Sequence, residues 1–174
     1  GLGVMGSSLS LNIAENGYSL SVYNRLAKGE EMMVDKFLEK IDPSWRVNGF
    51  TDVKAFVASI ERPRKILIMI KAGEVVDYVL EELTPLLSDG DILIEGGNSH
   101  FRDTNRRYTN LKKQGIHLIG CGISGGEEGA RKGPSLMPGG AKEIYHSIAP
   151  ILETISAKDQ SGNPCCTYIG EQGA

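Results

Sequence analysis

The sequence predicts an α/β fold, in which helices cover both faces of a doubly wound, mostly parallel sheet. Two observations predict it. Short apolar segments rich in β-branched residues alternate with longer amphipathic segments, and a glycine-rich turn opens the sequence. With 174 residues, of which 40% are apolar and 24% are charged, the chain has the size and composition of one globular domain, residues 1–174.

The first unit consists of a turn, a helix and a strand. Glycines occupy positions 1, 3 and 6, and apolar residues three or four apart predict a helix over residues 7–16. Asn16 and Gly17 are typical of a helix end. Residues 18–24, YSLSVYN, are short, apolar and bounded by a turn, so they predict a strand.

The central part of the chain repeats this alternation. Residues 65–70, KILIMI, predict the next clear strand, while residues 45–50 are a weaker candidate. The amphipathic segments between and around them predict helices, one of which starts at Thr51 and Asp52. These helices cover residues 28–40, 51–60 and 74–87.

The last part of the chain predicts two more strands, over residues 91–97 and 116–122, with a helix over residues 101–114 between them. Gln114 and Gly115 close that helix. Residues 142–157 have a helical pattern, but Pro150 predicts a bend or a break because proline cannot donate the helical hydrogen bond. Residues 165–170, CCTYIG, are a candidate for one last strand.

The glycine turn is typical of a Rossmann-like dinucleotide-binding unit. There the first glycine permits a tight turn, the second lets the backbone approach a pyrophosphate, and the third lets the helix pack closely on the strand. Gly1, Gly3 and Gly6 have this spacing, with Val4 and Met5 inside the turn. The positive end of the following helix favours an anion. A turn that only packs a helix on a strand is the alternative interpretation.

The end of the strand at residues 18–24 favours NADP over NAD. Enzymes that prefer NAD place an acidic residue near this position to bind the ribose hydroxyls, whereas an arginine accommodates the 2'-phosphate of NADP. Here Asn24 and Arg25 end the strand, with no carboxylate beside them. A guanidinium can hold a phosphate through two parallel hydrogen bonds. A solvated loop arginine is the alternative for Arg25.

Three further segments, residues 69–77, 94–107 and 120–140, each follow a predicted strand. Ligands bind beyond the carboxyl ends of the strands in an open parallel sheet, so we expect these loops to converge on one site. Together with GLGVMG and YNR they resemble the 6-phosphogluconate dehydrogenase family, and SGGEEGARKGPSLMPGG is the most specific part. The β-hydroxyacid dehydrogenases are similar in the glycine turn, the NR pair and the SGG loop, but do not normally share the longer stretch.

The resemblance implies a reaction. It is the NADP-dependent oxidation of 6-phosphogluconate at C3, followed by loss of carbon dioxide and tautomerisation to ribulose 5-phosphate, in the pentose phosphate pathway. The resemblance also implies that the full-length protein is a homodimer. Two alternatives stay open from the residues: a β-hydroxyacid dehydrogenase of the 3-hydroxyisobutyrate type, and a module that binds NADP without catalysis.

The same resemblance assigns roles to residues. Met5 is expected near the nicotinamide, and Glu127 at its carboxamide. Leu26 stands where the family usually has a threonine, and it offers no hydroxyl to the phosphate. The residues expected to bind the cofactor are Gly1, Gly3, Val4, Met5, Gly6, Asn24, Arg25, Leu26, Ile70, Lys71, Ala72, Asn98 and Glu127. Those expected to bind the substrate are Asn98, Ser124, Gly125 and Gly126.

Simpler interpretations exist for several of these residues. Asn98 and Ser99 could cap the helix that begins near Phe101. Lys71 alone would be a surface lysine. The three histidines have no metal-ligand spacing, so no metal site is predicted, and the three cysteines are expected to pack as small apolar groups.

Composition excludes some partners and compartments. A net charge of −3 gives no basic surface for nucleic acid, and no apolar run reaches the roughly 20 residues that a membrane-spanning helix needs. The odd number of cysteines, two of them adjacent, suits neither a disulfide framework nor a zinc site. A reducing compartment is therefore expected, with the cytoplasm as the first choice and a plastid as the alternative.

The glycine turn opens the sequence without the strand that normally feeds it, so we expect a chain truncated at both ends. In the strand order 3-2-1-4-5-6 the first strand is central, and without it the second and third strands would be separated from the fourth. We therefore expect residues 1–174 to be unstable in isolation. The family's general-base lysine and its all-helical domain are expected beyond Ala174, so no catalytic residue is predicted within the chain, and the chain alone is expected to be inactive.

Overall fold

The computed structural model describes residues 1–173. The predicted domain boundary at residue 174 lies outside them. Helices and strands alternate as expected of an α/β fold. In chain order the elements are α1 (Val4–Glu15), β1 (Leu20–Tyr23), α2 (Met33–Leu38), β2 (Val47–Phe50), α3 (Val53–Ala58), β3 (Lys65–Ile68), α4 (Glu74–Leu83), a 3-10 helix (Thr84–Leu86), β4 (Ile92–Glu95), α5 (Phe101–Lys112), β5 (His117–Ser124), α6 (Gly126–Lys132), β6 (Ser135–Gly139) and α7 (Lys142–Ile155).

The strands form two hydrogen-bonded groups. β1 and β2 pair in parallel, and β3, β4, β5 and β6 form a second sheet in that order. β3, β4 and β5 are parallel, whereas β6 is antiparallel to β5. The predicted mostly parallel sheet is confirmed, and so is the predicted separation of the first strand pair from the strands that follow. β6 and the helix α6 before it were not predicted.

Gly1 and Leu2 lie between the two groups of strands. The N–H of Leu2 donates to Oδ1 of Asn24, just after β1, over 2.9 Å. A Cβ atom on Gly1 would stand 2.8 Å from the carbonyl oxygen of Met69, just after β3. The start of the chain therefore contacts the carboxyl ends of a strand from each group.

Most of the predicted helix ends are confirmed. The carboxylate of Asp52 caps α3 by accepting a hydrogen bond from the N–H of Ala55 over 2.7 Å. Gly17 follows α1 with φ 86°, and Gly115 follows α5 with φ 72°, values that glycine adopts without strain. The helix predicted over residues 28–40 is shorter, because turns occupy the residues around Gly29, whose φ is 85°.

Two predictions near the end of the chain are corrected. α7 runs through Pro150 without a break, because Ile148 and Leu152 on either side are buried and hold the helix against the sheet. The segment predicted as a last strand, residues 165–170, forms only isolated bridges beside β6, at Cys166 and Gly170. Its pairing is parallel to β6, so it lies at the edge of the larger sheet.

The larger sheet is buried on both faces. Successive residues of a strand point to opposite faces, and in β4 Ile92 and Ile94 belong to one apolar cluster while Leu93 belongs to another. The first cluster packs against α1 and α7, through residues such as Leu9 and Ile148. The second packs against α3, α4 and α5. Helices thus cover both faces, as predicted.

A buried ion pair holds the amino ends of β3 and β4 together. Nη1 of Arg64 lies 2.8 Å from Oδ2 of Asp91, and their side chains are 8% and 1% exposed. The N–H groups of Arg64 and Ser88 also donate to this carboxylate. Burial by itself raises the pKa of Asp91, but these hydrogen bonds and the guanidinium outweigh it and leave the pKa lowered.

The cysteines are free and mostly buried, which is the apolar packing that was predicted. Burial raises the pKa of Cys121 to about 12, so its thiol is protonated at neutral pH. Of the helices within residues 1–173, none is long and apolar enough to cross a membrane.

Candidate functional site

An open cleft of about 350 Å³ lies where the start of α1 meets the carboxyl ends of β3, β4 and β5. This is the edge of an α/β sheet at which ligands bind. The residues that line the cleft are Gly3, Val4, Met5, Gly6, Met69, Ile70, Lys71, Gly96, Gly97, Asn98 and Ile123.

The three glycines of the turn have two kinds of environment. A Cβ atom on Gly1 would clash with the carbonyl oxygen of Met69, and one on Gly6 would stand only 1.9 Å from the carbonyl oxygen of Gly1. A Cβ atom on Gly3 would meet nothing within 4 Å. Gly1 and Gly6 therefore serve close packing, while Gly3 leaves the cleft open beside the backbone.

The first turn of α1 presents unpaired donors to this open space. The first N–H groups of a helix have no partner within the helix. Gly3, the N-cap residue, has no side chain to satisfy them, and the first turn contains no acidic residue. A helix of this length also carries a partial positive charge at its start. The cleft can therefore bind a phosphate through backbone N–H groups.

The corner after β1 holds Asn24, Arg25, Leu26 and Glu30. Asn24 is buried, its Oδ1 accepts from Leu2, and its Nδ2 donates to the carbonyl of Arg25 and, over 3.2 Å, to the carboxylate of Glu30. The side chain of Asn24 thus ties the glycine turn to the strand. Arg25 and Leu26 are exposed. Glu30 therefore places a carboxylate close to the end of β1, which the sequence around Asn24 had not indicated.

The loops after β3 and β4 touch each other. A Cβ atom on Gly97 would lie 2.5 Å from the carbonyl oxygen of Ile70, and one on Gly96 would lie 2.6 Å from the sulfur of Met69. At Gly97 only glycine allows this approach, because the nearest atom is backbone, whereas a side chain at Gly96 would require Met69 and Ile123 to move. Lys71 extends from the first loop and is exposed. Ala72 follows it and does not line the cleft.

Asn98 is held in a conformation that suits a binding residue. It is the one non-glycine residue with positive φ, 56°, within the described part of the chain, and such strain concentrates at functional sites. Its Oδ1 accepts from the N–H of Ile123 over 3.4 Å. The alternative that Asn98 and Ser99 cap α5 is wrong, because the ring nitrogen Nδ1 of His100 accepts the hydrogen bond from Arg102.

The predicted substrate loop lies at the end of β5. Ser124, Gly125, Gly126 and Glu127 are exposed and do not line the cleft itself. Gly125 has φ 126° and Gly126 φ 60°, so this turn requires glycine. Ile123, one residue earlier, does line the cleft. The loop therefore starts at the cleft and leads away from it.

Part of the predicted site is brought together in one place. Seven of the predicted residues line the cleft, and the corner at Asn24 is joined to it through Leu2. Sequence reasoning missed four lining residues. Two of these follow β4 as a glycine pair, which was a usable signal. The seven are Gly3, Val4, Met5, Gly6, Ile70, Lys71 and Asn98, and the four are Met69, Gly96, Gly97 and Ile123.

Comparison with known proteins identifies relatives across the whole chain. A family model described as the NAD binding domain of 6-phosphogluconate dehydrogenase matches residues 1–170. The decarboxylating 6-phosphogluconate dehydrogenase of Chlamydia trachomatis is 53% identical over 175 residues, which cover 100% of this chain and 35% of that protein. The NADP(+)-dependent, decarboxylating enzyme of Bacillus subtilis is 52% identical over 174 residues, which cover 100% of this chain and 36% of that protein. The chain thus spans about a third of the length of these curated relatives.

Solved structures with a similar fold include a member of the same enzyme family. The 6-phosphogluconate dehydrogenase of Plasmodium falciparum, described in its apo form and in complex with NADP+ and with 6-phosphogluconate, superimposes with a TM-score of 0.87 at 38% identity. The match covers 99% of this chain and 36% of that one. The 3-hydroxyisobutyrate dehydrogenase of Mycobacterium tuberculosis matches with a TM-score of 0.81 at 20% identity, covering 100% of this chain and 54% of that one. At that identity the match shows the fold alone, and it confirms the Rossmann-like architecture.

Proposed function

The chain belongs to the family of NAD-binding domains of 6-phosphogluconate dehydrogenase, and on that premise we propose that it binds NADP for the oxidative decarboxylation of 6-phosphogluconate. The products are ribulose 5-phosphate, carbon dioxide and NADPH. The chain supplies the coenzyme side of the site in the full-length protein. Among residues 1–173 we assign no general base.

The open position at Gly3 carries the dinucleotide part of this proposal. It combines free space beside the backbone with the uncapped start of α1, which is what a pyrophosphate needs in order to approach the N–H groups. The nicotinamide end would then lie toward Met5, Ile70 and Asn98, which line the same cleft. When bound, NADP supplies the acceptor for the hydride.

The choice of NADP over NAD is assigned to Arg25. Its side chain is exposed at the end of β1, where the adenosine ribose of a dinucleotide lies in this fold. A guanidinium there can pair with the 2'-phosphate, and Leu26 beside it adds no hydroxyl. Asn24 contributes by holding the strand end against the glycine turn.

The substrate side is assigned to Asn98 and to the loop of Ser124, Gly125 and Gly126. The amide nitrogen of Asn98 is available to a ligand, since its Oδ1 is engaged by Ile123. Ser124 offers a hydroxyl, and the two glycines let backbone N–H groups approach a polar sugar acid. Glu127, exposed in the first turn of α6, is assigned to the nicotinamide carboxamide.

The reaction is tested with the full-length protein. We expect NADPH and carbon dioxide in equal amounts from 6-phosphogluconate and NADP, measured by absorbance of the reduced coenzyme and by trapping of the gas. With 3-hydroxyisobutyrate we expect no comparable turnover. Faster oxidation of 3-hydroxyisobutyrate would support the β-hydroxyacid dehydrogenase alternative. Tight binding of NADP with no turnover of either acid would indicate a non-catalytic module.

The coenzyme assignment is tested by Arg25→Ala. A charge-assisted contact to an exposed phosphate is worth roughly 1.5 kcal/mol, so the preference for NADP over NAD should fall about tenfold. Arg46→Ala, which removes an exposed arginine just before the amino end of β2, is the matched control and should change nothing. An unchanged preference in Arg25→Ala would overturn the assignment.

We also propose that the full-length protein is a homodimer in a reducing compartment, with the cytoplasm as its location. The homodimer is proposed from the family resemblance, and light scattering of the purified protein tests it. The reducing compartment is supported by three free cysteines, two of them buried. Fractionation of cells that express the full-length protein tests it.

A further inference from the structure

A buried arginine lies behind the cleft and uses all of its side-chain nitrogens. The side chain of Arg107, on α5, is 1% exposed. Its Nε donates to Oδ1 of Asp77 over 3.0 Å, and its Nη2 donates to Oδ2 of Asp77 and to the carbonyl of Gly73, each over 2.9 Å. Its Nη1 donates to Oγ of Ser99 over 3.0 Å and lies 3.4 Å from both carboxylate oxygens of Glu95.

Two of these partners, Gly73 and Ser99, belong to the two loops that face the cleft, while Asp77 lies in α4 and Glu95 ends β4. Gly73 ends the loop after β3, two residues beyond Lys71. Ser99 directly follows Asn98 in the loop after β4. Arg107 itself does not line the cleft. One rigid guanidinium therefore connects the backbone of the first loop to a side chain of the second, from behind.

Arg107 and Asp77 fix each other's charges. The guanidinium of Arg107 forms hydrogen bonds that keep the pKa of Asp77 well below its usual range, and Asp77 in turn raises the pKa of Arg107. Both groups stay ionised across the neutral range, so the connection between the loops does not change with pH there. Desolvation of buried ions offsets much of their attraction, so such a cluster adds little stability compared with apolar residues of similar size. Its geometry is the more specific contribution.

We propose that Arg107 is a positioning residue that sets the separation of the Lys71 loop and the Asn98 loop, and thereby the alignment of coenzyme and substrate. The proposal rests on the function proposed above. Hydride transfer requires the reacting atoms in near-attack geometry, and a shift of about 1 Å can lower the rate about a hundredfold. Arginine suits this task because its planar fork reaches several acceptors at fixed angles, whereas lysine provides a single charged point.

The test compares Arg107→Lys with Arg106→Lys in the full-length protein. Arg106 is 51% exposed and also binds Asp77, over 3.0 Å, and its other ion pair is with Asp103 on its own helix rather than with either loop. For Arg107→Lys we expect kcat to fall about tenfold to a hundredfold with little change in the Kd of NADP. Arg106→Lys should keep the kcat of the unsubstituted protein.

Two further measurements separate positioning from loss of folded protein. With substrate deuterated at C3, the isotope effect on kcat should rise in Arg107→Lys, because misalignment slows the hydride step itself. In the coenzyme-free protein, hydrogen exchange should accelerate at residues 70–73 and 97–99 in Arg107→Lys but not in Arg106→Lys. A lower kcat with an unchanged isotope effect and unchanged exchange would overturn the proposal.

A second variant covers the case in which Arg107→Lys does not fold. Ser99→Ala removes only the link from Arg107 to the Asn98 loop and leaves its bonds to Asp77 and Glu95 in place. It should lower kcat, raise the isotope effect and speed exchange at residues 97–99 alone. Unchanged values in Ser99→Ala would refute the positioning role. If the unsubstituted protein does not turn over 6-phosphogluconate, the proposed function fails, and the exchange measurement still decides whether Arg107 orders the loops.

Discussion

Replacement of Gly6 by alanine should destabilise the fold, whereas the same change at Gly3 should not. In Gly6→Ala the new methyl group would stand 1.9 Å from the carbonyl oxygen of Gly1, 3.1 Å from its carbonyl carbon and 3.3 Å from Cβ of Met69. Real Cβ contacts do not fall below 3.0 Å, so the backbone must separate by about 1 Å. No side-chain rotation can relieve this clash, because its nearest partner is backbone.

The size of the effect follows from two opposing contributions. Overpacking costs about 1–3 kcal/mol, and a backbone clash lies at the upper end of that range. Alanine favours the helix over glycine by up to about 1 kcal/mol. The net loss is about 2 kcal/mol, which lowers the Tm of a domain of this size by roughly 4–8 °C. Because the turn itself must move, the affinity for NADP should fall as well.

Gly3→Ala is the matched comparison. Gly3 has φ −60° and ψ −179°, which alanine adopts freely, and the new methyl group meets no protein atom within 4 Å. The Tm should stay within about 2 °C, because exposed substitutions usually change stability by less than about 0.5 kcal/mol. The methyl group would occupy the space proposed for the pyrophosphate, so the Kd of NADP should rise at least about tenfold.

The assay is thermal denaturation of both variants of the full-length protein, with an NADP titration of each. The reasoning fails if Gly6→Ala melts at the temperature of the unsubstituted protein. The proposed pyrophosphate position fails if Gly3→Ala binds NADP with unchanged affinity.

Three further predictions concern other charges and a thiol. Asp91→Asn should lower the free energy of unfolding at neutral pH by about 3 kcal/mol, since it removes the charge of a buried pair. Urea denaturation measures this change, with Asp103→Asn, at a half-exposed side chain, as the control. Because the pKa of folded Asp91 is lowered, its contribution is complete above the unfolded pKa of about 3.9 and is lost as the pH falls through the folded pKa. The difference between the two proteins should therefore shrink in acid, and a constant difference would contradict the assignment. Glu30→Gln should lower the Kd of NADP about twofold to fivefold and leave that of NAD unchanged, since it removes a negative charge near the corner proposed to hold the 2'-phosphate. An equal effect from Glu31→Gln would point to general surface charge instead. Cys121, with its pKa raised to about 12, should react with a maleimide at neutral pH far more slowly than a free cysteine does, and rapid labelling in the folded protein would be evidence against its burial.

The main features of the fold could be predicted because they depend on local patterns. Runs such as KILIMI and DILIE contain the β-branched residues that a strand buried on both faces requires. β6 escaped prediction because its segment, SLMPG, contains proline and glycine and is a strand only through its pairing with β5. α6 was missed for a similar reason, since GEEGARK has two glycines and little apolar periodicity.

The site was predictable where one motif determines it and not where distant segments meet. The spacing of Gly1, Gly3 and Gly6 was enough to predict an anion-binding turn. Asn98 was predicted as a binding residue from the family resemblance, and the local pattern left a helix cap open as the alternative. The hydrogen bond that orients its side chain comes from the N–H of Ile123, on another strand, so the local sequence could not decide between the two. The bonds of Arg107 reach back as far as Gly73, and nothing in the neighbouring sequence indicates such partners.

The alternation of residues in β4 limits how this segment can vary in length. Ile92 and Ile94 face one core and Leu93 faces the other, so inserting or deleting one residue would exchange the two sets of side chains. Exchanges among valine, isoleucine and leucine should be accepted at all three positions, because both environments are apolar. Inserting or deleting one residue would also move Gly96 away from Met69, and a side chain would then stand where the loops after β3 and β4 touch. Protein engineers can therefore exchange apolar residues at these three positions, but should keep Glu95, which pairs with Arg107, and the residue count of the strand unchanged.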